Sequence, residues 1–128
     1  MYAVIAICFG ASVGALLRWQ LAEHFNVYFA AVPLGTLLAN FLGAYIIGIA
    51  LAFFLQYPAL SPQWKLLIIT GFLGGLTTFS TFSAEVVNLL QQSRWLWALG
   101  LSFTHVIGSL CLTVLGMLTF TTIKTMLK

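Results

Sequence analysis

The chain has 128 residues, of which 62% are hydrophobic and 5% are charged. Charged residues make up about a quarter of an ordinary soluble domain, so this composition excludes a soluble globular protein and indicates an integral membrane protein. The formal net charge of +3 comes from scattered basic side chains without a basic cluster, which argues against a nucleic-acid partner.

Four stretches are apolar over the roughly 20 residues that a membrane-spanning helix requires. The sequence predicts an all-α membrane protein with spanning helices at residues 2–22, 33–55, 64–91 and 95–126. Because the connections are short, we expect a single four-helix transmembrane domain over residues 1–128. The first stretch lacks a basic region and a cleavage motif, so it is interpreted as a retained helix rather than a signal peptide.

The distribution of basic residues favours neither orientation in the membrane strongly. One side carries Lys65, Lys124 and Lys128, while the other carries Arg94 and also Arg18, if Arg18 lies near its helix end. A chain with so weak a bias could insert in either orientation, and two opposed copies could pair about an axis in the membrane plane. This dual topology is a hypothesis.

The first two helices each carry a polar residue beside small residues. Gly10 and Gly14 form a small-xxx-small face, and Arg18 follows on the same side, either reaching the interface or serving as a vestibule cation. Asn40 lies on one helical face with Gly43, so its amide should point at protein rather than lipid. This Asn could join helices or line a pore.

The third helix contains a run of glycines, hydroxyls and two phenylalanines at 71–83. Glycine permits unusual backbone geometry, so we expect this helix to be broken mid-membrane near Gly71, Gly74 and Gly75, with opened carbonyls that could ligate a hard cation. Beyond the break, Phe79 and Phe82 share one helical face with hydroxyl side chains. Such aromatic stripes usually pack in a core, but the hydroxyls favour a lining role.

The fourth helix carries a polar stripe of His105, Ser109 and Thr113 at four-residue spacing. Serine and threonine can also bond to their own helix carbonyls, so each hydroxyl has a structural explanation as well. Together with Asn40 and the third helix, the stripe supplies many hydrogen-bond donors and no fixed charge. This combination suits a small ion of either sign.

Two other classes of function have some of their ingredients in the sequence. An enzyme is disfavoured because the sequence has no Gly-x-Ser-x-Gly elbow and no His/Cys/carboxylate cluster with metal-ligand spacing. A small four-helix proton-coupled multidrug exporter needs a carboxylate within the membrane. Glu23 lies at the end of the first helix, so only Glu85 could serve, and the exporter remains the alternative.

The run of residues 74–85, Gly-Gly-Leu-Thr-Thr-Phe-Ser-Thr-Phe-Ser-Ala-Glu, closely resembles the signature of the small fluoride channels called Fluc or CrcB. Residues 14–19 and 35–43 agree with the same family. The resemblance implies a passive channel that exports toxic fluoride across a bacterial inner membrane. It further implies an antiparallel dual-topology homodimer with two pores formed between the subunits, so a monomer should not conduct.

The resemblance also implies roles for individual residues. Backbone carbonyls of Gly74 and Thr77 from each subunit would hold a central structural Na⁺ at the dimer interface. Arg18 would be the vestibule cation. The position of His105 is less constrained in the family than those of the phenylalanines. The fluoride path would be lined by the remaining matched residues: Asn40, Phe79, Ser80, Thr81, Phe82, His105, Ser109 and Thr113. Along this path, the Asn40 amide, the serine and threonine hydroxyls and the edges of the phenylalanine rings would replace the water shell of fluoride.

Overall fold

The computed structural model describes residues 1–28 and 32–127, which form an all-helical bundle. It contains four helical spans that are long and apolar enough to cross a membrane. The first two are α1, Tyr2–Phe25, and α2, Leu34–Gln56, and the fourth is α6, Trp95–Met126. The third span, Pro62–Gln91, is assembled from several segments. The prediction of a multi-pass membrane protein is confirmed.

The third span changes helix type along its length. It begins with the α-helical turn α3, Pro62–Lys65, continues as a π-helix over Leu66–Leu73 and returns to α-helix in the short α4, Gly74–Leu76. After an interruption, α5 runs over Phe79–Gln91. A π-helix is wider than an α-helix and is commonly found near functional sites.

The interruption lies at two threonines rather than at the glycines. Thr77 has φ −82° and ψ 153°, and Thr78 has φ −148° and ψ 117°, so both are extended. Within residues 1–28 and 32–127, no glycine has a positive φ. The prediction of a broken third helix is confirmed in part, because the segments still form one continuous span, Pro62–Gln91. The prediction that glycine geometry opens it is wrong.

The observed helix ends differ slightly from the predicted bounds. The prediction that the first connection starts at residue 23 is wrong, because α1 continues to Phe25. Ser61 caps α3, since its side chain accepts a hydrogen bond from the Gln63 backbone N–H. Between α5 and α6, Ser93 has φ 58°, and the chain reverses direction in a short turn.

The glycines instead allow close approach of α1 to the third span. A Cβ added to Gly14 would lie 2.1 Å from the Phe72 carbonyl oxygen, and one added to Gly75 would lie 2.5 Å from the Ala11 oxygen. Both distances are shorter than any real Cβ contact, so no larger residue fits without moving a helix. The small-xxx-small face of α1 therefore packs backbone against backbone, as predicted.

A second pair of close helices is α2 with α6. A Cβ on Gly48 would lie 2.1 Å from the Thr113 carbonyl oxygen, and one on Gly116 would lie 2.1 Å from the Tyr45 oxygen. The apolar core fills the space between the two pairs around Ala39 and Leu76, both of which have no solvent exposure. These contacts fix where α2 faces the interrupted span.

We expect Gly14→Ala to destabilise the fold, because the added methyl group would collide with the backbone of the third span. Forced overpacking costs roughly 1–3 kcal/mol. The measurement is the fraction of protein that stays monodisperse in detergent after heating. Gly100→Ala is the matched control, since nothing lies within 4 Å of its added Cβ. Equal heat resistance of the two variants would contradict the packing role.

Candidate functional site

The side-chain amide of Asn40 pairs with both backbone groups of Thr78. The Thr78 N–H donates to Asn40 Oδ1 at 2.7 Å, and Asn40 Nδ2 donates to the Thr78 carbonyl at 3.1 Å. This two-point pairing resembles one rung of a β-ladder and suits the extended conformation of Thr78. It joins α2 to the interruption of the third span.

The pairing removes hydrogen-bond donors from the helix that precedes the interruption. In a continuous α-helix, the N–H of Thr78 would donate to the Gly74 carbonyl, but here it donates to Asn40. Likewise, the N–H of Thr81 would donate to the Thr77 carbonyl, but it donates to Thr78 Oγ1 at 3.1 Å. The carbonyls of Gly74 and Thr77 therefore lose the donors that a regular helix would give them.

Thr78 also serves as the N-cap of α5. Its hydroxyl accepts from the backbone of Thr81, donates to Thr81 Oγ1 at 2.9 Å and lies 3.3 Å from Ser80 Oγ. Thr78 is buried, whereas Ser80 and Thr81 are exposed. This local hydroxyl network satisfies the first turn of α5 inside an apolar environment.

An open cavity of about 420 Å³ lies beside the interruption, between α2, α6 and the third span. It contains most of the predicted site residues: Asn40, Gly74, Thr77, Phe79, Phe82, His105, Ser109 and Thr113. Gly43, Ala44 and Thr78 line it as well. Among the described residues that line this cavity, none carries an acidic, lysine or arginine side chain.

Two phenylalanine rings stand at the cavity in different environments. Phe79 is 77% exposed and Phe82 is 8% exposed, with their ring centroids 5.5 Å apart at an interplanar angle of 63°. The Phe82 ring also packs on the His105 imidazole at 4.5 Å. Phe79 thus stands at the open side of the cavity and Phe82 at its inner wall.

His105 connects α6 to the amide of α2. Its Nδ1 lies 3.2 Å from Asn40 Nδ2, and its side chain is 4% exposed. The other ring nitrogen, Nε2, is buried and has no hydrogen-bond partner among the residues of the described ranges. Four residues along α6, Ser109 lines the same cavity, and Thr113 Oγ1 donates to the Ser109 carbonyl at 2.9 Å.

Three predicted site residues do not line the cavity. Ser80 and Thr81 belong to the hydroxyl network of the α5 cap, and Arg18 is partly buried on α1. The interpretation that Asn40 faces protein agrees with its contacts. The structure adds Thr78, whose backbone receives Asn40, to the residues of the site.

A second polar pair joins α2 to α5. Thr36 Oγ1 donates to Glu85 Oε1 at 2.5 Å, and Thr36 is 2% exposed. The second carboxylate oxygen, Oε2, is buried without a partner among the described residues. Glu85 does not line the cavity. Thr36 was not among the predicted site residues, although a threonine one helical turn before Asn40 lies on the same face of α2.

The site offers carbonyl and hydroxyl oxygens rather than a cluster of metal-binding side chains. Across residues 1–28 and 32–127, no group of three or more His, Cys, Asp or Glu side chains could hold a metal ion. Any cation in this region would therefore depend on backbone carbonyls of the kind that the interruption provides.

Four spanning helices, an interrupted third span and an uncharged polar cavity define a small multi-pass membrane protein with a candidate ion-binding path. Residues 5–117 match the family model described as CrcB-like protein, Camphor Resistance (CrcB). The chain belongs to the CrcB family, as its resemblance in the third helix indicated.

Curated relatives resemble the chain over nearly its whole length. It is 60% identical over 124 residues to the fluoride-specific ion channel FluC of Tolumonas auensis, which covers 97% of this chain and 98% of the relative. It is 62% identical over 117 residues to FluC of Pseudomonas putida, covering 91% of this chain and 92% of the relative. For FluC of Pseudomonas aeruginosa, the identity is 59% over 114 residues, covering 89% and 90%. These relatives are named as channels, which is not an enzymatic kind of function.

We expect Thr78→Val to lower the thermal unfolding midpoint in detergent, because valine has the same shape but cannot cap α5. Loss of such a cap costs roughly 1 kcal/mol. Thr78→Ser is the matched control, since its hydroxyl can still accept from Thr81. If the valine variant unfolded no earlier than the serine variant, the hydroxyl network would not support the interruption.

Proposed function

We propose that this chain is a passive, fluoride-selective channel that carries toxic fluoride out of the bacterial cytoplasm across the inner membrane. The observation that carries the proposal is the cavity that gathers Asn40, Ser109, Thr113 and the two phenylalanines beside the helix interruption. The names of the aligned relatives, fluoride-specific ion channels, support fluoride as the ion.

The chemistry of the cavity suits a small anion that must pass through. Amide and hydroxyl groups donate hydrogen bonds, and the edges of Phe79 and Phe82 carry partial positive charge, so together they can replace part of a hydration shell. Conduction requires binding that is favourable but weak enough for release. Neutral donors meet this requirement better than a buried lysine or arginine, which would hold the anion tightly.

The open side of the cavity supports a dimeric channel. Phe79 and Gly74 are exposed on the surface of a single chain although both line the cavity. In the proposed assembly, two antiparallel copies cover these surfaces and complete two pores between them. The weak asymmetry of basic residues is compatible with insertion in both orientations. Arg18 would attract anions at the mouth of each pore.

The residues near the interruption fit the central Na⁺ of the proposed dimer. The carbonyls of Gly74 and Thr77 have lost their helical donors to Asn40 and Thr78. Gly74 is also uncrowded, since an added Cβ would meet only the Ile69 oxygen, at 3.8 Å. Gly74 and Thr77 of each subunit would hold the ion, which would supply an electrostatic link across the interface.

The structure gives little support to the alternative of a proton-coupled exporter. A proton-coupled exporter would place a carboxylate in its substrate cavity, but Glu85 is engaged with Thr36 and lies outside the cavity lining. The relatives are also named as channels rather than exporters. Glu85→Gln separates the two hypotheses further, because drug transport by an exporter would require the carboxylate.

The direct test of the proposed function is ion efflux from liposomes. Purified protein is reconstituted with potassium fluoride inside, valinomycin is added to release potassium, and external fluoride is followed with an ion-selective electrode. We expect rapid fluoride efflux, because a passive channel dissipates the gradient without another energy source. Parallel vesicles with potassium chloride should retain their anion. Chloride efflux at a similar rate, or no fluoride efflux from folded dimers, would contradict the proposal.

We expect Phe79→Ile and Phe82→Ile each to reduce fluoride efflux about tenfold, since each removes a partially positive ring edge from the cavity. A tenfold loss corresponds to about 1.4 kcal/mol in the barrier. The dimer should persist on a sizing column. Phe9→Ile is the control, because Phe9 is also largely exposed but does not line the cavity. Unchanged efflux in the Phe79/Phe82 double variant would remove the rings from the mechanism.

A further inference from the structure

The backbone of Thr78 fixes the orientation of the Asn40 amide. A backbone N–H can only donate and a backbone carbonyl can only accept. Because the Thr78 N–H lies 2.7 Å from one amide atom, that atom must be oxygen, and the atom 3.1 Å from the Thr78 carbonyl must be nitrogen. The amide therefore has one possible orientation, and its NH₂ group faces His105.

This orientation determines which nitrogen of His105 carries the proton. The NH₂ of Asn40 has two hydrogens, of which one points to the Thr78 carbonyl and the other to His105 Nδ1 at 3.2 Å. Nδ1 must therefore accept, and the proton of a neutral imidazole must reside on Nε2. A doubly protonated ring would set an N–H of His105 against an N–H of Asn40.

We infer that Asn40 acts as a positioning residue for His105, holding the imidazole as its neutral Nε2–H tautomer so that this N–H serves as an anion donor of the cavity. His105 lines the cavity, and its Nε2 is buried without a partner among the described residues. A buried N–H without an acceptor is costly, so a small anion beside it would remove that cost. The donor role of Nε2–H rests on the proposed function, whereas the tautomer of His105 does not.

The Phe82 ring helps to hold the imidazole in this state. Its ring centroid lies 4.5 Å from that of His105, and the two rings are tilted by 31°. This contact restricts rotation of the imidazole about its Cβ–Cγ bond. The ring plane is thus fixed by Phe82 and the tautomer by Asn40. A neutral donor held in this way can bind an anion and still release it. A protonated histidine would hold the anion more strongly.

The chain contains its own reference for the opposite tautomer. His24 Nδ1 lies 2.9 Å from the Gln20 carbonyl oxygen, which can only accept, so its Nδ1 carries a proton. The sequence has two histidines. Nitrogen-15 labelling of histidine therefore gives two Nδ1 signals with opposite expected protonation, and His24→Asn assigns them.

The test is solid-state NMR of the labelled full chain in lipid bilayers, with and without fluoride. We expect His105 to show an unprotonated Nδ1 and a protonated Nε2, and fluoride but not chloride to shift the Nε2 signal. A protonated Nδ1 at His105 overturns the inference. An Nε2 signal that ignores fluoride, in vesicles that release fluoride, overturns the donor role. Vesicles that release no fluoride refute the proposed function while the tautomer is still read independently.

Substitution of Asn40 separates positioning from mere packing. In Asn40→Asp, the carboxylate can still accept from Thr78, but its second oxygen now faces His105 Nδ1 and can only accept. We expect the proton to move to Nδ1, and fluoride efflux to fall. A protonated Nε2 in the folded Asp variant would show that Asn40 does not set the tautomer. If that variant does not fold, the wild-type spectrum alone decides.

Variants of His105 test the donor itself. His105→Phe removes the N–H but keeps a ring, so we expect efflux to fall on the order of tenfold, the loss expected for a hydrogen bond to a charged ion. His105→Gln restores a side-chain N–H and should recover part of the efflux. Equal efflux by the Phe and Gln variants would show that the N–H of His105 does not bind the anion.

Discussion

The structure depends on one interaction, the two-point pairing of the Asn40 amide with the backbone of Thr78. In a lipid environment, no water is present to satisfy the N–H and C=O groups of an opened helix, so an interruption needs partners from protein. A single Asn supplies one donor and one acceptor in the geometry that an extended residue presents. It therefore satisfies both backbone groups of the extended Thr78 inside a spanning helix.

The remaining features of the site follow from this pairing. Because the Thr78 N–H is occupied, the Gly74 carbonyl loses its donor, and because the Thr78 hydroxyl caps α5, the Thr77 carbonyl loses its own. The second hydrogen of the Asn40 NH₂ then reaches His105 on α6. One amide thus links the interruption, the carbonyls that lack their helical donors and the polar stripe of the fourth span.

Close helix packing brings this amide to the interruption, since a Cβ added to Gly43 of α2 would lie 2.2 Å from Thr77 Cγ2. The glycines of α1 and the third span bring their backbones into direct contact, and Gly48 and Gly116 do the same for α2 and α6. Interhelical spacing is therefore set by backbone rather than by flexible side chains. Such close packing leaves the helices little freedom to shift against one another.

The sequence predicted the features that depend on local pattern. Hydropathy identified the four spans, and spacing along α6 brought His105, Ser109 and Thr113 to one cavity. The interruption was expected near Gly71, Gly74 and Gly75 but lies at Thr77 and Thr78, because a glycine signal does not distinguish conformational freedom from close packing. The pairing with Asn40 spans 38 positions and that of Thr36 with Glu85 spans 49, so neither could be read from neighbouring residues.

The most direct test of the role of Asn40 is the backbone conformation of Thr77 and Thr78, measured by solid-state NMR chemical shifts in lipid bilayers. Wild-type protein should show extended shifts at both threonines, and Asn40→Ala should shift them towards helical values, because the Thr78 N–H would return to the Gly74 carbonyl. Helical shifts in the wild type, or unchanged extended shifts in the alanine variant, would contradict the account.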